Sequence, residues 1–430
     1  MQKRLFHGII KNIGGVQMKI VKLNSQAFDN YVSSIDYCNY FQTTGYAFTI
    51  NKFGLKEEFF GFEENGKLVG ALLLLSKQVF MGFKYGYSPR GIIIDYNDEN
   101  LVKNAVKELK NKLLKEHFII FKMDPLIIHT IRDKKGNIIE RNDKYEKSIN
   151  ILKNAGFTHK GSNLYFEGVK PRFEAELDLQ KDSSTLFKNL TKQIRNKLRK
   201  ATKYGLSVYK DNKMDFDKIY PLIKDKDTVP LKYYGYLYNN FKDDLEIYYA
   251  KLNTKVYVEN SKYLYEKEME INDYLTNIIQ SNGYKGKNMS DVLSKKMESD
   301  KLLTTYKKYM VQATDLLKEH PDGIIVGATV TLKYKNKIFL IVEGFDKEYK
   351  NLNSTYLTKW KIIEKYANSD IKTFNMNALV GNFTKENNEY KGLNEMKFSY
   401  NAEALEYAGE FELIINNPIY SIYKSMVPKK

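Results

Sequence analysis

The sequence predicts an α/β (α+β) protein of two similar halves, with an antiparallel helical hairpin inserted in the second half. Strand and helix patterns alternate through residues 18–165, and the same order of paired strands, helix and strand returns from Pro171 onward. Residues 253–320 show heptad spacing instead. We interpret the two halves as a structural duplication, although no residue-level repeat is visible.

The first half begins with a strand at Met18, and we expect residues 1–17 to be an extension that precedes the natural start. Apolar segments on both sides of Asn65-Gly66 predict a β-hairpin, because this dipeptide favours a tight turn. The predicted elements are helix Gln26–Tyr37, strands Glu57–Glu63, Leu68–Ser76 and Gly86–Asp95, helix Asn100–Glu116, strand Phe118–Met123, helix Tyr145–Ala155 and a strand from Gly156.

The second half follows the same logic of apolar periodicity. Its predicted elements are strand Glu174–Asp178, a basic helix described next, strand Leu206–Tyr209, helices Phe216–Lys224 and Tyr233–Phe241, strands Leu245–Lys251, Gly323–Tyr334 and Lys337–Gly344, helix Ser354–Ala367 and strand Ile371–Met376.

The basic helix is the most strongly patterned segment of the chain. Its apolar seam is predicted to be Phe187, Leu190, Ile194, Leu198 and Ala201, and its cationic stripe Lys192, Arg195, Arg199 and Lys203. From Lys188 to Lys203 there are seven Lys or Arg and no acid. Ser183 or Ser184 is the expected N-cap, and Gly205 the expected stop. The stripe is either a solvated face or an anion site, and periodicity alone leaves both open.

The heptad region predicts two long helices packed against each other. The first seam is Tyr257, Ser261, Leu264, Glu268, Ile271, Leu275 and Ile278, and the second is Leu303, Tyr306, Met310, Ala313 and Leu317. The turn is expected within Ser281–Asn288, and at ~1.5 Å per residue the second arm would be ~43 Å long. The hairpin is thus a structural projection or a clamp on a macromolecule. The polar seam residues make an oligomerisation coil the weaker interpretation.

Composition narrows the function classes. A net charge of +17 favours a polyanionic partner, such as nucleic acid, a phosphate-bearing substrate or an anionic membrane surface. The single Cys38 excludes an intrachain disulfide and suggests a reducing cytoplasm, and the five His show no metal-ligand spacing. The longest apolar segment, Leu68–Leu75, is too short to span a bilayer, so contact with a membrane would be peripheral. We find no Gly-rich phosphate loop, nucleophile elbow or deaminase signature.

Two polar residues follow predicted strands or apolar segments. Asp95 ends an otherwise apolar strand, and is either a turn residue or a carboxylate at the edge of a sheet, where binding crevices form. Lys397 lies among Met396, Phe398 and Tyr400. It is either a partly desolvated cation near developing negative charge or, as composition alone favours, an ordinary lysine on an exposed strand face.

Several segments together resemble a known family. They are Phe41-Gln42-Thr-Thr-Gly-Tyr46, Tyr87-Ser-Pro-Arg-Gly-Ile-Ile-Ile-Asp95, the helix Ile194–Gly205, Tyr356–Tyr366 with Trp360, Gly392–Lys397 and Tyr407–Leu413. In this order, and around a helical hairpin, they resemble the Fem-type (FemABX) aminoacyltransferases, which build peptidoglycan bridges from aminoacyl-tRNA. The chain departs from the family pattern where Tyr46 replaces a Trp, Met396 replaces a Phe, and the Pro-Arg-Gly segment lacks its second Pro.

The resemblance implies two tandem acetyltransferase (GNAT)-like domains, with the last strand returning to complete the first. The implied boundaries are 18–165 plus 408–430 for the first domain, 166–407 for the second, and 253–320 for the inserted hairpin. It also implies catalytic roles for Lys397 and Asp95. The implied substrate-binding residues are Arg199, Arg195, Lys52, Tyr87 and Tyr204.

The implied reaction moves an amino acid from aminoacyl-tRNA to the amine of a muropeptide precursor, either lipid-linked (lipid II) or UDP-linked, in cell wall biogenesis. An aminoacyl ester is already activated, so we expect no metal and no cofactor beyond aminoacyl-tRNA as co-substrate. The expected location is the cytoplasm, with peripheral contact at the inner membrane face. Two alternatives stay open: a non-enzymatic basic RNA-binding protein, and an acyl-CoA-dependent N-acyltransferase, although no convincing pyrophosphate loop is visible.

Overall fold

A computed structural model of the protein describes residues 18–224, 229–281, 289–383 and 390–426. The predicted extension 1–17 and most of the predicted hairpin turn, residues 282–288, lie outside these ranges. Within the described chain, no helix is both long and apolar enough to span a bilayer.

The helices alternate with strands along most of the described chain. In order they are α1 Ser25–Ser33, α2 Thr44–Asn51, α3 Glu99–Lys115, α4 Tyr145–Asn154, α5 Ser183–Asn189, α6 Lys192–Lys203, α7 Phe216–Ile223, α8 Leu231–Phe241, α9 Thr254–Gln280, α10 Met289–Glu319, α11 Ser354–Tyr366, α12 Lys391–Phe398 and α13 Asn417–Met426.

The strands confirm the predicted α/β class. In order they are β1 Met18–Lys22, β2 Lys56–Glu64, β3 Lys67–Phe80, β4 Phe83–Ser88, β5 Phe118–Met123, β6 Ile128–Arg132, β7 Ile138–Arg141, β8 Thr158–His159, β9 Phe173–Asp178, β10 Leu206–Asp211, β11 Leu245–Leu252, β12 Ile324–Tyr334, β13 Lys337–Phe345, β14 Thr373–Leu379, β15 Glu403–Tyr407 and β16 Phe411–Ile414.

The chain folds into two compact units. Unit 1 comprises Met1–Glu174, Ala378–Asn394 and Glu403–Lys430, and unit 2 comprises Ala175–Asn377 and Glu395–Ala402. The domain boundaries implied by the resemblance remain a prediction, because compactness alone defines these units.

Unit 1 is built on a sheet with the strand order β1-β2-β3-β4-β5-β16-β8. Neighbouring strands are antiparallel except β4 and β5, which are parallel and are connected through α3. The buried stripe of α3 is Val102, Ala105, Val106, Leu109 and Leu113, which joins Phe60, Phe62, Leu72 and Leu74 in the core. Strand β16 lies between β5 and β8, so the expected return of the last strand is confirmed.

Unit 2 contains β10, β11, β12 and β13 as successive antiparallel neighbours, and β14 runs parallel to β13. Helix α11 packs against β11 and β12, and α6 packs against α11 and β10. This packing buries the seam of α6 and leaves its other side accessible, as the periodicity predicts.

The basic helix is two helices rather than one. Asp182, not Ser183 or Ser184, caps α5 by accepting the Thr185 N–H at 3.0 Å. The chain then turns extended at Leu190, and the hydroxyl of Thr191 caps α6 by accepting the Ile194 N–H at 3.3 Å. The break is fixed from a distance, because the Thr191 N–H donates to the Ser399 carbonyl at 3.1 Å. Gly205 has φ +89°, which confirms the predicted stop.

The predicted strand Gly86–Asp95 ends earlier, at Ser88. Arg90 (φ +59°) and Gly91 (φ +85°) both lie in the left-handed region, which takes the backbone out of the ladder. Beyond them, Ile93 makes an isolated bridge to Ala71. Asp95 is therefore a loop residue and not the end of a strand.

The helical hairpin α9–α10 is confirmed and lies in unit 2. It is inserted between β11 and β12, which are paired neighbours, and its base is closed by a hydrogen bond of 2.7 Å from Thr254 Oγ1 to the His320 carbonyl. The predicted seam is wrong at Ile271, and in α10 Leu316 is buried whereas the predicted Leu317 is half-buried. Ile271 is 42% exposed, and Asn272 is buried instead, where its amide donates to Ser299 Oγ at 3.1 Å.

Candidate active site

A buried carboxylate stands where β4 and β5, the parallel strands of unit 1, end. Tyr87 on β4 donates to Asp124 Oδ1 at 2.8 Å, and the backbone N–H of Arg90 donates to the same oxygen at 3.1 Å. Asp124 Oδ2 is buried and makes no hydrogen bond within the described residues. Burial raises the pKa of Asp124, and the nearby Arg90 and Tyr87 offset this only in part.

Arg90 links this carboxylate to a second one. Its guanidinium is buried, lies 3.4 Å from Asp124 Oδ2 through Nη1, and is paired with Glu174 through Nη2. The ring of Tyr407 lies 4.9 Å from its Cζ. A buried arginine between two carboxylates fixes the position of both, and removal of any member leaves a charge uncompensated.

The turn that carries Arg90 is held by a residue from the first resemblance motif. The Gln42 amide donates to the carbonyl oxygens of Arg90 and Gly91, at 3.1 and 3.2 Å. Two segments that are far apart in sequence, those of Gln42 and of Arg90-Gly91, are thus joined by hydrogen bonds beside the cluster.

Lys170 adds a titratable amine to this cluster. Its Nζ lies 3.4 Å from the ring centroid of Phe41 and 5.4 Å from that of Tyr46, and the residue is half-buried. Burial lowers the pKa of Lys170 to about 7, against the attraction of Asp124 and with the repulsion of Arg90. A pKa of about 7 means that the charged and neutral forms of this amine are both populated at neutral pH, which suits an acid–base group.

Two predicted residues of unit 1, Asp95 and Lys52, are exposed and do not belong to this buried cluster. Asp95 is exposed and accepts the backbone N–H of Asn97 at 2.9 Å, which is the geometry of an Asx turn. Lys52 is exposed at the C-cap of α2. Of the predicted unit 1 residues, only Tyr87 is part of the buried cluster.

In unit 2 the cations of α6 form a ridge, defined here as Arg195, Arg199 and Lys203. Arg199 and Lys203 are exposed, and Arg195 is half-buried with Nη1 donating to the Lys188 carbonyl at 2.9 Å. On one side of Arg199 and Lys203 is a cleft of about 430 Å³ with Phe187 and Trp360 in its wall, and on the other a cleft of about 320 Å³ that reaches Tyr306 of the hairpin. The ridge therefore presents charge beside aromatic and apolar surface.

Lys397 is buried, with 4% of its surface exposed, and lies on α12 rather than on an exposed strand. The interpretation that composition favours, an ordinary lysine on an exposed strand face, is therefore wrong. The chain after it is anchored by Tyr400, whose hydroxyl donates to the Tyr356 carbonyl at 2.9 Å, and by the bond from Thr191 to Ser399. The segment of Lys397 is thus tied to both α11 and the start of α6.

Tyr204 is buried at the C-cap of α6, with its ring edge-on to Tyr257 at 5.7 Å. Burial raises the pKa of Tyr204. The residue joins α6 to the base of the helical hairpin, which is a packing role.

The sequence pattern of the FemAB family matches residues 23–427. The chain belongs to the FemAB family. It is 25% identical over 423 residues to aminoacyltransferase FemA of Staphylococcus epidermidis (strain RP62A), covering 95% of this chain and 99% of that protein. It is also 25% identical over 429 residues to aminoacyltransferase FemA of Staphylococcus aureus (strain MW2), covering 95% and 98%.

A crystal structure of FemX superposes on this FemAB chain with a TM-score of 0.70, at 18% identity, covering 94% of this chain and 99% of that one. This likeness shows the shared fold. The resemblance stated from the motifs is therefore confirmed, and the RNA-binding and acyl-CoA alternatives lose support.

Sequence reasoning missed four members of the FemAB chain's buried cluster, namely Arg90, Asp124, Glu174 and Lys170, although Arg90 stood in a resemblance motif. A signal for Asp124 was present, because Asp124-Pro125 directly follows an apolar strand, as a residue at the carboxyl end of a parallel strand does. Lys170 carried no such signal. Its environment arises from Phe41 and Tyr46, more than 100 positions earlier.

Proposed function

We propose that this FemAB-family aminoacyltransferase moves an amino acid from aminoacyl-tRNA to the amine of a peptidoglycan precursor stem peptide, lipid-linked or UDP-linked, and so forms the interpeptide bridge. The observation that carries the proposal is the family match over residues 23–427. The relatives named FemA are aminoacyltransferases.

The chemistry asks little of the protein beyond position and charge. The ester that joins an amino acid to tRNA is activated, so a neutral amine attacks its carbonyl directly. The enzyme must hold both substrates in line, take a proton from the attacking amine and stabilise the tetrahedral oxyanion. The leaving ribose hydroxyl then takes up a proton.

For the proton, we assign Asp124 the acceptor-orienting role that the resemblance implied for Asp95. Asp124 is buried, its raised pKa suits proton uptake, and Tyr87 and Arg90 fix its orientation. Lys170, with a pKa near 7, is the second group in this cluster able to exchange a proton at neutral pH. Asp95 is exposed and engaged in its own turn, which supports a lesser role.

For the oxyanion, we propose Lys397. A lysine that is 4% exposed interacts with developing negative charge more strongly than one in water, because the surrounding dielectric is low. The ties from its segment to α6 and α11 limit its movement, as preorganised stabilisation requires.

For the polyanionic substrates, we propose the ridge Arg195, Arg199 and Lys203. A precursor diphosphate beside Arg199 and the phosphates of tRNA along the rest of α6 would use its excess of cations. Lys52 remains a predicted precursor contact, and Tyr204 supports the ridge by packing. No cofactor is proposed beyond the aminoacyl-tRNA co-substrate, and the proposed place of action is the cytoplasmic side of the membrane.

One experiment tests the proposal. The protein is incubated with purified lipid-linked precursor, or with the UDP-linked form, and a set of charged tRNAs, and the product mass is read. We expect the precursor to gain one amino acid residue or a short run of them. Lys397→Met should abolish transfer while precursor binding persists. No mass gain with any pair would refute the proposal, and full turnover of Lys397→Met would remove this lysine from the mechanism.

A further inference from the structure

The turn between β3 and β4 in unit 1 exposes apolar side chains to solvent. Phe80 pairs with Phe83 in the ladder, so the turn itself is the dipeptide Met81-Gly82. Met81 is 82% exposed, more than any other large apolar residue of the described chain, and Val79 beside it is 39% exposed. An apolar side chain held this far out of the protein gains nothing from the fold.

The backbone conformation of this turn is also unfavourable for methionine. Met81 has φ +43° and Gly82 has φ +81°, as in a tight turn of the type that prefers Asn-Gly. The same sheet contains a matched example, the β2–β3 turn Asn65-Gly66, with φ +50° and +79°. The protein thus uses the favoured asparagine in one hairpin and a bulky methionine in the next, where it is both strained and exposed.

Other apolar and aromatic groups lie at the same end of the strands, where β4 and β5 begin. The ring of Phe83 is edge-on to His117 at 6.0 Å, just before β5, and Leu114 in the last turn of α3 is 49% exposed. The chain leaves β16 at this end of the sheet too, because the Asn416 N–H donates to the Ile119 carbonyl, near the start of β5, at 3.2 Å.

Helix α13 starts from that point, packs against β5 and carries Ile422, which is 45% exposed. Burial raises the pKa of Tyr85 on β4, and its neighbour Tyr423 on α13 adds to the shift, so α13 also lies beside β4. We call Val79, Met81, Leu114 and Ile422 the apolar tip.

Lysines lie within two residues of the apolar side chains of the tip along the chain, or at the start of β4. Lys77, Lys115 and Lys424 are exposed, and Lys84 is half-buried with its Nζ 4.8 Å from the ring centroid of Phe118. Nearby acids are already paired, Glu116 with Lys112 at 2.7 Å and Glu412 with Lys122 at 2.8 Å. Exposed apolar side chains with lysines beside them in the chain are complementary to the surface of an anionic bilayer, where apolar groups enter the interface and lysines meet the head groups.

We propose that the apolar tip and its lysines dock unit 1 on an anionic phospholipid bilayer. The tip stands at the start of β5, and Asp124 follows the other end of that strand, which spans roughly 20 Å. A docked protein would hold the buried cluster at about that height above the surface. The docking stands on the tip alone, and its link to a lipid-linked acceptor rests on the proposed function.

The test is sedimentation of the full chain with vesicles of phosphatidylcholine containing phosphatidylglycerol, against vesicles of phosphatidylcholine alone. The decisive variant is Met81→Asn, because asparagine is favoured at this φ and the fold should be retained. Met81→Asp and Met297→Asp form a matched pair, since Met297 is also an exposed methionine (64%) but belongs to α10 of unit 2.

We expect the wild-type chain to bind the anionic vesicles and to release them as salt rises. Met81→Asn should bind about tenfold more weakly, Met81→Asp more weakly still, and Lys77→Ala about fivefold more weakly, while Met297→Asp binds as the wild type does. Absence of wild-type binding, or equal losses in Met81→Asp and Met297→Asp, would overturn the proposal. So would wild-type dimers that Met81→Asn converts to monomers, because the tip would then cover a second copy of the chain.

Aminoacyl transfer separates this inference from the proposed function. If the membrane docking and the proposed function are both correct, Met81→Asn should lower transfer to lipid-linked precursor in vesicles and leave transfer to UDP-linked precursor unchanged. If no transfer occurs with either acceptor, the proposed function fails while the vesicle measurement still decides the docking.

Discussion

Arg90 in unit 1 and Arg199 in unit 2 belong to two of the motifs that suggested the family, yet their surroundings are opposite. Arg90 is 2% exposed and lies between Asp124 and Glu174. Arg199 is exposed on a helix without an acidic residue. A buried arginine with two carboxylate partners organises the protein, whereas an exposed one with no acid on its helix is available to a ligand. A motif therefore identifies an important arginine without telling which of these tasks it has.

The comparison predicts a large difference in stability. Arg90→Met should lower the free energy of unfolding by about 3–5 kcal/mol, because two buried carboxylates lose their cation. Arg199→Met should change the free energy of unfolding by no more than about 0.5 kcal/mol, as for most surface positions. Urea unfolding of both variants measures this. Equal losses would show that Arg90 is no more structural than Arg199.

The carboxylate beside Arg90 should matter for turnover more than the exposed one. Asp124→Asn should lower kcat by about 10²-fold or more, because the amide cannot take a proton. Asp95→Asn should change kcat less than about twofold. Steady-state transfer assays compare them, with circular dichroism as the check of folding. A larger loss in Asp95→Asn would restore the role that the resemblance implied.

Lys170 predicts a specific pH dependence. Its pKa is lowered to about 7, so its neutral, proton-accepting form grows as pH rises through 7, and kcat/KM should rise over the same interval. Lys170→Arg keeps a cation over the Phe41 ring but does not titrate there, so it should lose this limb of the profile. If Lys170→Arg retains both rate and profile, the residue only packs against the ring.

The smallest expected effect concerns Arg199. Arg199→Gln should weaken tRNA or precursor binding severalfold and reduce the slope of log K against log salt concentration by about one. Filter binding at several salt concentrations measures the slope. Gln193→Ala, on the same helix and exposed but neutral, is the control and should leave the slope unchanged. An unchanged slope in Arg199→Gln would return α6 to the solvated-face interpretation.

Local patterns predicted most elements, since the seam residues Ile194, Leu198 and Ala201 and the turn Asn65-Gly66 depend on near neighbours. Errors arose where distant contacts decide. The break before α6 depends on Ser399, more than 200 positions away, and Asp95 leaves the sheet because Gln42 holds the Arg90-Gly91 turn. The buried cluster was missed for the same reason, because Asp124, Glu174 and Lys170 meet only in the folded chain.

The hairpin α9–α10 has a consequence for how unit 2 assembles. Its two helices join β11 to β12, so these neighbouring strands are separated by the whole insertion along the chain. An open loop of that length would make their pairing slow, because closure must precede any gain from the ladder. A helix pair that formed before the strands paired would bring Thr254 and His320, whose hydrogen bond closes the base of the hairpin, close together. In that order of events, the insertion would act as a short connection between β11 and β12, and their pairing would no longer require closure of a long open loop.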